Sequence, residues 1–478
     1  MEENKNVLKQ WILSAINNRS NKEIKEIFET IPTIDIAEAI SDVEDPKTLL
    51  YIFHVVGSEY SADLFAELSS EQQEAVINVF SDKELIDLIS ESYADDIVDT
   101  IEEMPANIVS RVLKACPKDL RSDVNRLLNY KENTAGSIMT TEYIDMKDSV
   151  TVKEAINTIR LKGKDAETVY TIFVRDSRRT LVGTVELSDL IFSKEDEVLS
   201  DIMDKDFVSC NVNDDQEEVA KKFKRYDLTA MAVVNSENKI VGIITIDDVV
   251  DIMEQEVSED IAHMAAITDM EDPYLKTPIF KLVLKCVPWI LALMVLQVFS
   301  TMILSGFESE IGKFAILAVF TPLIMDAGGN SGGQTTTMIV RSLSLDEFSG
   351  KDYGKVILKE LRVASIIGAV VAAFAFGWLM FEMSVGIVST ASIVEKANEM
   401  HANPYAYMCL VAALVAATLF VTMIISRLVG CSLPFLARLI KLDPAVMCGP
   451  ITTTTVDIVS LITYFLLWTE IIGPTIGF

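Results

Sequence analysis

Histidine is scarce in this chain. Only His54, His263 and His401 occur among 478 residues, which disfavours zinc, copper and nickel, for which imidazole is a preferred ligand. The six cysteines (Cys116, Cys210, Cys286, Cys409, Cys431 and Cys448) form no CxxC pair, and half lie in apolar stretches. They read as reduced, mostly buried thiols, not as a disulfide framework or a zinc site. The opening MEENKNVLKQ has no apolar core and does not read as a signal peptide. No nucleophile–base constellation is visible, so an enzyme is not expected. Positive charge is sparse in the first part of the chain. Residues 1–275 hold 28 Lys and Arg against 58 Asp and Glu, whereas residues 276–478 hold 13 of each. The whole formal charge of −30 thus belongs to the first part. An acidic surface argues against nucleic acid and against anionic lipid headgroups as partners, and it suits a cationic ligand.

The length accommodates three or four domains. Residues 1–134 read as an acidic α-helical domain. Segments such as SADLFAELSSEQQEAVINVF place apolar residues at helical spacing. Such units recur roughly every 20 residues, which predicts a small helical superhelix. Residues 135–255 carry an internal repeat in two copies, 135–197 and 198–255. Ile138-Met139 recurs as Ile202-Met203, and Val182-Gly183 as Val241-Gly242. The pattern of amphipathic helix, β run, polar turn and β run resembles a tandem α/β CBS pair. Residues 256–278 read as an acidic connecting helix.

Residues 279–478 are apolar, with five predicted membrane helices near 280–305, 313–340, 361–388, 405–430 and 444–472. Lys276, Lys281 and Lys285 precede the first span. Arg341, Lys351, Lys355, Lys359 and Arg362 separate the second from the third, and Arg427, Arg438 and Lys441 flank the turn from fourth to fifth. The loops on the other side hold only Lys313 and Lys396 as cations. The positive-inside rule then places the N-terminal half in the cytoplasm and the C-terminus outside.

Two acids stand in the last apolar stretch. Asp457 lies within Cys448–Trp468, and Asp443 precedes it by 14 residues. On one continuous helix their carboxylates would be about 21 Å apart, most of a hydrocarbon core of about 30 Å. A carboxylate in lipid is costly unless it faces water, a partner or a metal, so the pair points to a cation path. The second span holds TPLIMDAGGNSGGQTTTMIV, where Asp326 and Asn330 share one helix face. Gln334 and the threonines add neutral oxygens, and the glycines allow close backbone approach. In the last span Pro450 is expected to free backbone carbonyls, and Asp457 follows one turn after Thr453. Oxygen-only ligands suit Mg²⁺ or Ca²⁺. The run Gly328–Gly333 is no phosphate loop, because Gln334 replaces the required lysine.

PLIMDAGGNSGGQ and DPA…GP…TT…D, placed after a CBS pair and an acidic helical domain, resemble the MgtE family of magnesium channels. The resemblance covers nearly the whole chain beyond residue 30. It implies a homodimer in the plasma membrane, a multi-pass protein bathed in lipid, with a pore lined by the second and fifth spans. It makes Asp457 the main Mg²⁺-recognising carboxylate, with Asp443 toward the cytoplasmic mouth and Asn330 beside the path. Where relatives place a pore-lining Asn, this chain has Gly449. It further implies closure by Mg²⁺ bound at Asp95, Asp99, Glu217, Asp227, Asp248, Asp251, Glu256, Glu259 and Asp260. ATP binding stays open. Asp189, Thr245 and Asp248 match a nucleotide site, but Leu228 and Ser188 replace the expected aromatic and arginine. Transport of Co²⁺, Mn²⁺ or Ca²⁺ stays open as well, as does a membrane sensor that transports nothing.

Overall fold

The apolar-periodic segments at the start of the chain fold, among the described residues, as ten helices from Glu2–Asn17 to Lys118–Leu127. The computed structural model describes residues 2–472 apart from 42, 44, 103, 165, 269–273, 276, 314, 315, 346, 400 and 402. Most of these helices pack against the next but one. The chain therefore winds as a superhelix around Ile27, Leu49, Ile77, Leu88 and Val112. Local signals set the starts: Ser81 and Glu84 form a reciprocal cap on Asp82–Ile89.

Each repeat copy forms a three-stranded sheet. The first holds β1 (Asp145–Lys147), β2 (Thr171–Arg175) and β3 (Leu181–Glu186), and the second holds β4 (Ser209–Asn211), β5 (Ala230–Val234) and β6 (Ile240–Thr245). In both, the first strand runs parallel to the second and the second antiparallel to the third. The repeated dipeptides explain one another. A Cβ on Gly242 would lie 2.6 Å from Met139 Sδ, and one on Gly183 would lie 2.8 Å from Met203 Sδ. The Ile-Met start of each copy thus sits on the Val-Gly strand of the other, and the missing side chain makes room for the sulfur.

The chain divides into two compact units, Met1–Glu254 and Gln255–Phe478. The connecting helix runs Ile246–Met264, earlier than the expected 256–278, because it starts directly from β6. Lys276 lies outside the described residues, as do the side chains of Lys313 and Lys396.

The second unit is a helical membrane domain. Ile279–Gly306, Gly350–Val385, Pro404–Leu439 and Pro450–Glu470 are long and apolar enough to cross a bilayer. The expected second span forms a 29-residue helix, Ile316–Ser344, about 44 Å long at 1.5 Å per residue. Its AGGNSGGQTTT run keeps it out of the apolar class. Leu317, Leu414, Val415, Leu461 and Tyr464 are buried together where these helices meet.

Two expectations need correction here. Residues 444–472 are not one helix. A 3₁₀ turn, Pro444–Met447, is followed by a break and then by the helix Pro450–Leu467. Gly449 makes the break at φ +51° and ψ −116°, a conformation that side chains resist and glycine accepts. The axial separation of about 21 Å from Asp443 to Asp457 assumed a continuous helix and does not apply. Pro450 is the first helical residue, where its missing N–H leaves no bond unmade, so it frees no carbonyls inside the span. The second correction concerns Arg427. It is not a flanking charge but an interior residue of Pro404–Leu439, only 2% exposed.

Candidate functional site

Close helix packing builds the site in the second unit. A Cβ on Gly430 would lie 2.4 Å from the Gly332 carbonyl oxygen, so Ile316–Ser344 and Pro404–Leu439 touch backbone to backbone there. Thr336 joins three helices: its hydroxyl lies 3.0 Å from the carbonyls of Gly332 and Gly430 and 3.1 Å from Thr452 Oγ1. The buried threonines of the TTT run are therefore packing groups. Thr335 likewise donates to Ser331, at 3.1 Å.

The opposite face of the glycine-rich helix opens on a cavity of about 580 Å³. Asp326, Asn330, Thr453 and Asp457 line it together with Leu304, Pro322 and Met325. Among the described residues its lining holds two carboxylates and no basic side chain. Thr453 donates its hydroxyl to the Gly449 carbonyl at 3.0 Å, which leaves its oxygen lone pairs available. Asp326 and Asn330 are exposed in the single chain, whereas Asp457 is half-buried. Gln334 does not line the cavity.

Asp443 and Gly449 are placed elsewhere. Asp443 caps the 3₁₀ turn by accepting from Ala445 N at 2.9 Å. Its other oxygen lies 2.9 Å from His263 Nδ1, a bond that requires the proton on that nitrogen. Glu259 lies 3.8 Å from His263 Nε2. A Cβ on Gly449 would lie 2.4 Å from the Met264 carbonyl oxygen, so only glycine fits beneath the end of the connecting helix. Sequence reasoning passed over His263. The available signal was its position one turn after Glu259.

The first unit brings a different set of acids together. Burial pushes Asp95 up to about 8, helped by Asp96, Glu142 and Asp248. Burial then Asp248 push Asp96 to about 6, and burial then Asp247 push Glu167 to about 7. Thr140 Oγ1 donates to Glu142 at 2.9 Å and lies 3.3 Å from Asp95 Oδ1. Asp248 accepts from Thr245 Oγ1 at 2.8 Å. Asp96, Glu142 and Glu167 were not anticipated, because they come from separate segments. Asp99 belongs with this set, since loss of solvent around its carboxyl, then Glu102, Asp96 and Asp248, push it up to about 7, whereas Asp251 is exposed. Glu217 pairs with Lys221 at 3.1 Å, while Asp227 is an exposed helix cap at φ +52°. Asp189 is exposed in the first turn of Leu187–Phe192. Among the described residues, no group of three His, Cys, Asp or Glu side chains is drawn close enough to hold a metal ion.

These raised carboxylates make the unit pH-sensitive. Between an unfolded value of about 4 and the folded values, the native chain holds protons that the unfolded chain has lost. Stability therefore falls as pH rises through that window. In buffer free of divalent ions, the melting transition of this unit in the full chain is expected to fall from about pH 5 to about pH 8. Divalent cation should restore it at the upper end. A midpoint that climbs with pH over that range would contradict the cluster.

Comparison with known proteins respects the same division. The family described as "Divalent cation transporter" (MgtE) matches residues 321–467, which contain most of the cavity lining. The MgtE intracellular N domain matches residues 31–133, and a CBS domain matches residues 199–255. "Magnesium transporter MgtE" of Thermus thermophilus is 29% identical over 454 residues, covering 94% of this chain and 95% of that protein. That of Bacillus subtilis is 28% identical over 454 residues, 95% of each chain. A solved structure, the cytosolic domain of the Mg²⁺ channel MgtE in complex with ATP, is 29% identical, with a TM-score of 0.48, and covers 51% of this chain and 99% of its own. With the three parts matched in order and relatives aligned over nearly their full length, this multi-pass membrane protein is similar to the MgtE family from its helical domain to its last span.

Proposed function

We propose that the protein is a homodimeric, Mg²⁺-gated Mg²⁺ channel of the plasma membrane, with its acidic half in the cytoplasm and its C-terminus outside. One observation carries this reading: within an apolar helical unit lies a cavity whose ionisable lining, among the described residues, is two carboxylates. Asp457 is assigned as the main ion-recognising group, with Asp326, Asn330 and Thr453 beside it. Mg²⁺ parts with its waters reluctantly, so these oxygens would act on the hydrated ion. An inward-negative potential favours entry by about 4.6 kcal/mol per 100 mV for a double charge. No pumping chemistry is required.

Gating is assigned to the acidic segments. In the first unit, Asp95, Asp96, Glu142 and Asp248 repel while no cation is bound. In the second, His263 and Met264 meet Asp443 and Gly449, which suits the end of the connecting helix as the element that closes the mouth. The scattered positions of Glu217 and Asp227 fit ions held through water, not a tight chelate. For a nucleotide the first unit offers less. Thr245 and Asp248 are bonded to each other, and Leu228 supplies no ring to stack.

The test is Mg²⁺ flux into liposomes holding only this protein, with Mg²⁺ varied on the face bearing the soluble half. Flux is expected to fall as that Mg²⁺ rises, and neutralising Glu256, Glu259 and Asp260 together is expected to flatten the fall. No flux at any concentration would assign a sensor. Equal flux of Co²⁺, Mn²⁺ or Ca²⁺ would remove the selectivity.

A further inference from the structure

A second cavity of the membrane unit, about 1040 Å³, lies away from the carboxylates. It runs between the Ser349–Tyr353 segment and one face of Pro404–Leu439. Its long wall is aliphatic: Ile425, Leu428, Val429, Leu433, Leu436 and Leu439. From Ile425 to Leu439 the wall extends about 21 Å along the helix, more than half of a hydrocarbon core of about 30 Å.

The two ends of this groove differ. Lys351 and Arg438 line it where both neighbouring spans reach their termini. Both are exposed, and neither side chain is ion-paired or hydrogen-bonded among the described residues. The nearby acid, Asp352, is held by Lys355 at 2.8 Å and by Ser349. Tyr353 and Ser432 satisfy each other at 3.0 Å. No acidic residue lines the groove among the described residues. The polar end is thus a pair of unmatched cations, and the remainder is a slot for hydrocarbon.

From this we infer that the groove is a binding site for an anionic phospholipid, its headgroup on Lys351 and Arg438 and an acyl chain along the aliphatic wall. A free phosphate would match the cations but leave the apolar slot unexplained. A helix from a second copy would fill the slot but leave the two cations unmatched. The acidity of the chain as a whole disfavours anionic headgroups, yet residues 276–478 are net neutral and the two groove cations reverse the sign locally.

The experiment is native mass spectrometry of the full chain titrated with phosphatidylglycerol, phosphatidylcholine and inorganic phosphate in separate arms. Wild type is expected to retain phosphatidylglycerol in preference to phosphatidylcholine. The double variant Lys351→Ala/Arg438→Ala should bind it roughly thirtyfold more weakly, since each interfacial cation contributes about 1 kcal/mol. Lys359→Ala removes a cation outside the groove and should change nothing. Leu433→Trp fills the slot without altering charge and should lose the lipid while remaining folded. Equal weakening in Lys359→Ala would reduce the effect to general surface charge and overturn the site. Phosphate binding as tight as the lipid would assign a free anion instead. A Leu433→Trp protein that keeps its lipid but loses its dimer would assign the groove to a second copy.

Discussion

Asp457→Ala is expected to abolish Mg²⁺ flux, down to the leak of empty liposomes, while the protein still inserts and assembles. The side chain is half-buried in a cavity of about 580 Å³ that offers a cation, among the described residues, one other charge, Asp326. At an effective dielectric constant of about 20, a divalent ion about 5 Å from a carboxylate gains about 7 kcal/mol. That gain offsets the penalty for leaving bulk water, and no described basic group in the lining competes for it. Asp457→Asn separates charge from shape. It keeps the volume and one oxygen, so it should block flux nearly as fully as alanine. The hydroxyls that pin the helix start, Thr453 on Gly449 and Thr454 on Pro450, do not involve Asp457, so folding should survive. The measurement is dye-reported flux together with dimer mass in detergent. Undiminished flux in both variants would move ion recognition to another group, Asp326 first.

The second large effect concerns stability. Arg427 donates through Nε and Nη2 to one oxygen of Glu360, at 3.1 and 2.9 Å. The side chains are only 2% and 10% exposed, and the pair ties Tyr353–Val385 to Pro404–Leu439 inside the membrane unit. Removing one partner from a buried pair costs about 3–5 kcal/mol, because the remaining charge is left unpaired. Arg427→Ala is therefore expected to lower the melting temperature in detergent sharply. Replacing both, as Glu360→Gln with Arg427→Met, should recover most of the loss, since it strands no charge. If the double variant melts as low as the single one, the effect lies in packing around the guanidinium stem and the ion-pair account fails. Flux in the double variant is expected to persist, because neither residue lines the carboxylate cavity.

These two residues show how far a linear reading reaches. Asp457 was conspicuous because a carboxylate in an apolar run is expensive wherever that run folds. Arg427 was misplaced because a cation near the end of an apolar run looks like a boundary charge, and only the partner 67 residues away reveals that it is inside. The glycine-rich run was legible as a packing surface. Which of its threonines face helices and which face the cavity was not, since that depends on the rotation of Ile316–Ser344 against two neighbours. The expected continuous last span failed at Gly449 because apolar composition hides a break made by one backbone torsion.

By itself the sequence determined the features that composition and period dictate. It marked a net-neutral apolar half after a very acidic one, and a repeat whose Ile-Met and Val-Gly dipeptides imply two matched sheets. It also marked carboxylates that could not sit in lipid without purpose. Tertiary structure alone decided the groupings. It brought Asp326 and Asn330 from one helix to Thr453 and Asp457 on another, gathered Asp95, Glu142 and Asp248 from three segments, and set His263 on Asp443. The reason is physical. Burial and periodicity act over a few residues and are written locally, whereas the free energy of a charge depends on every group within several ångströms, however distant in the chain.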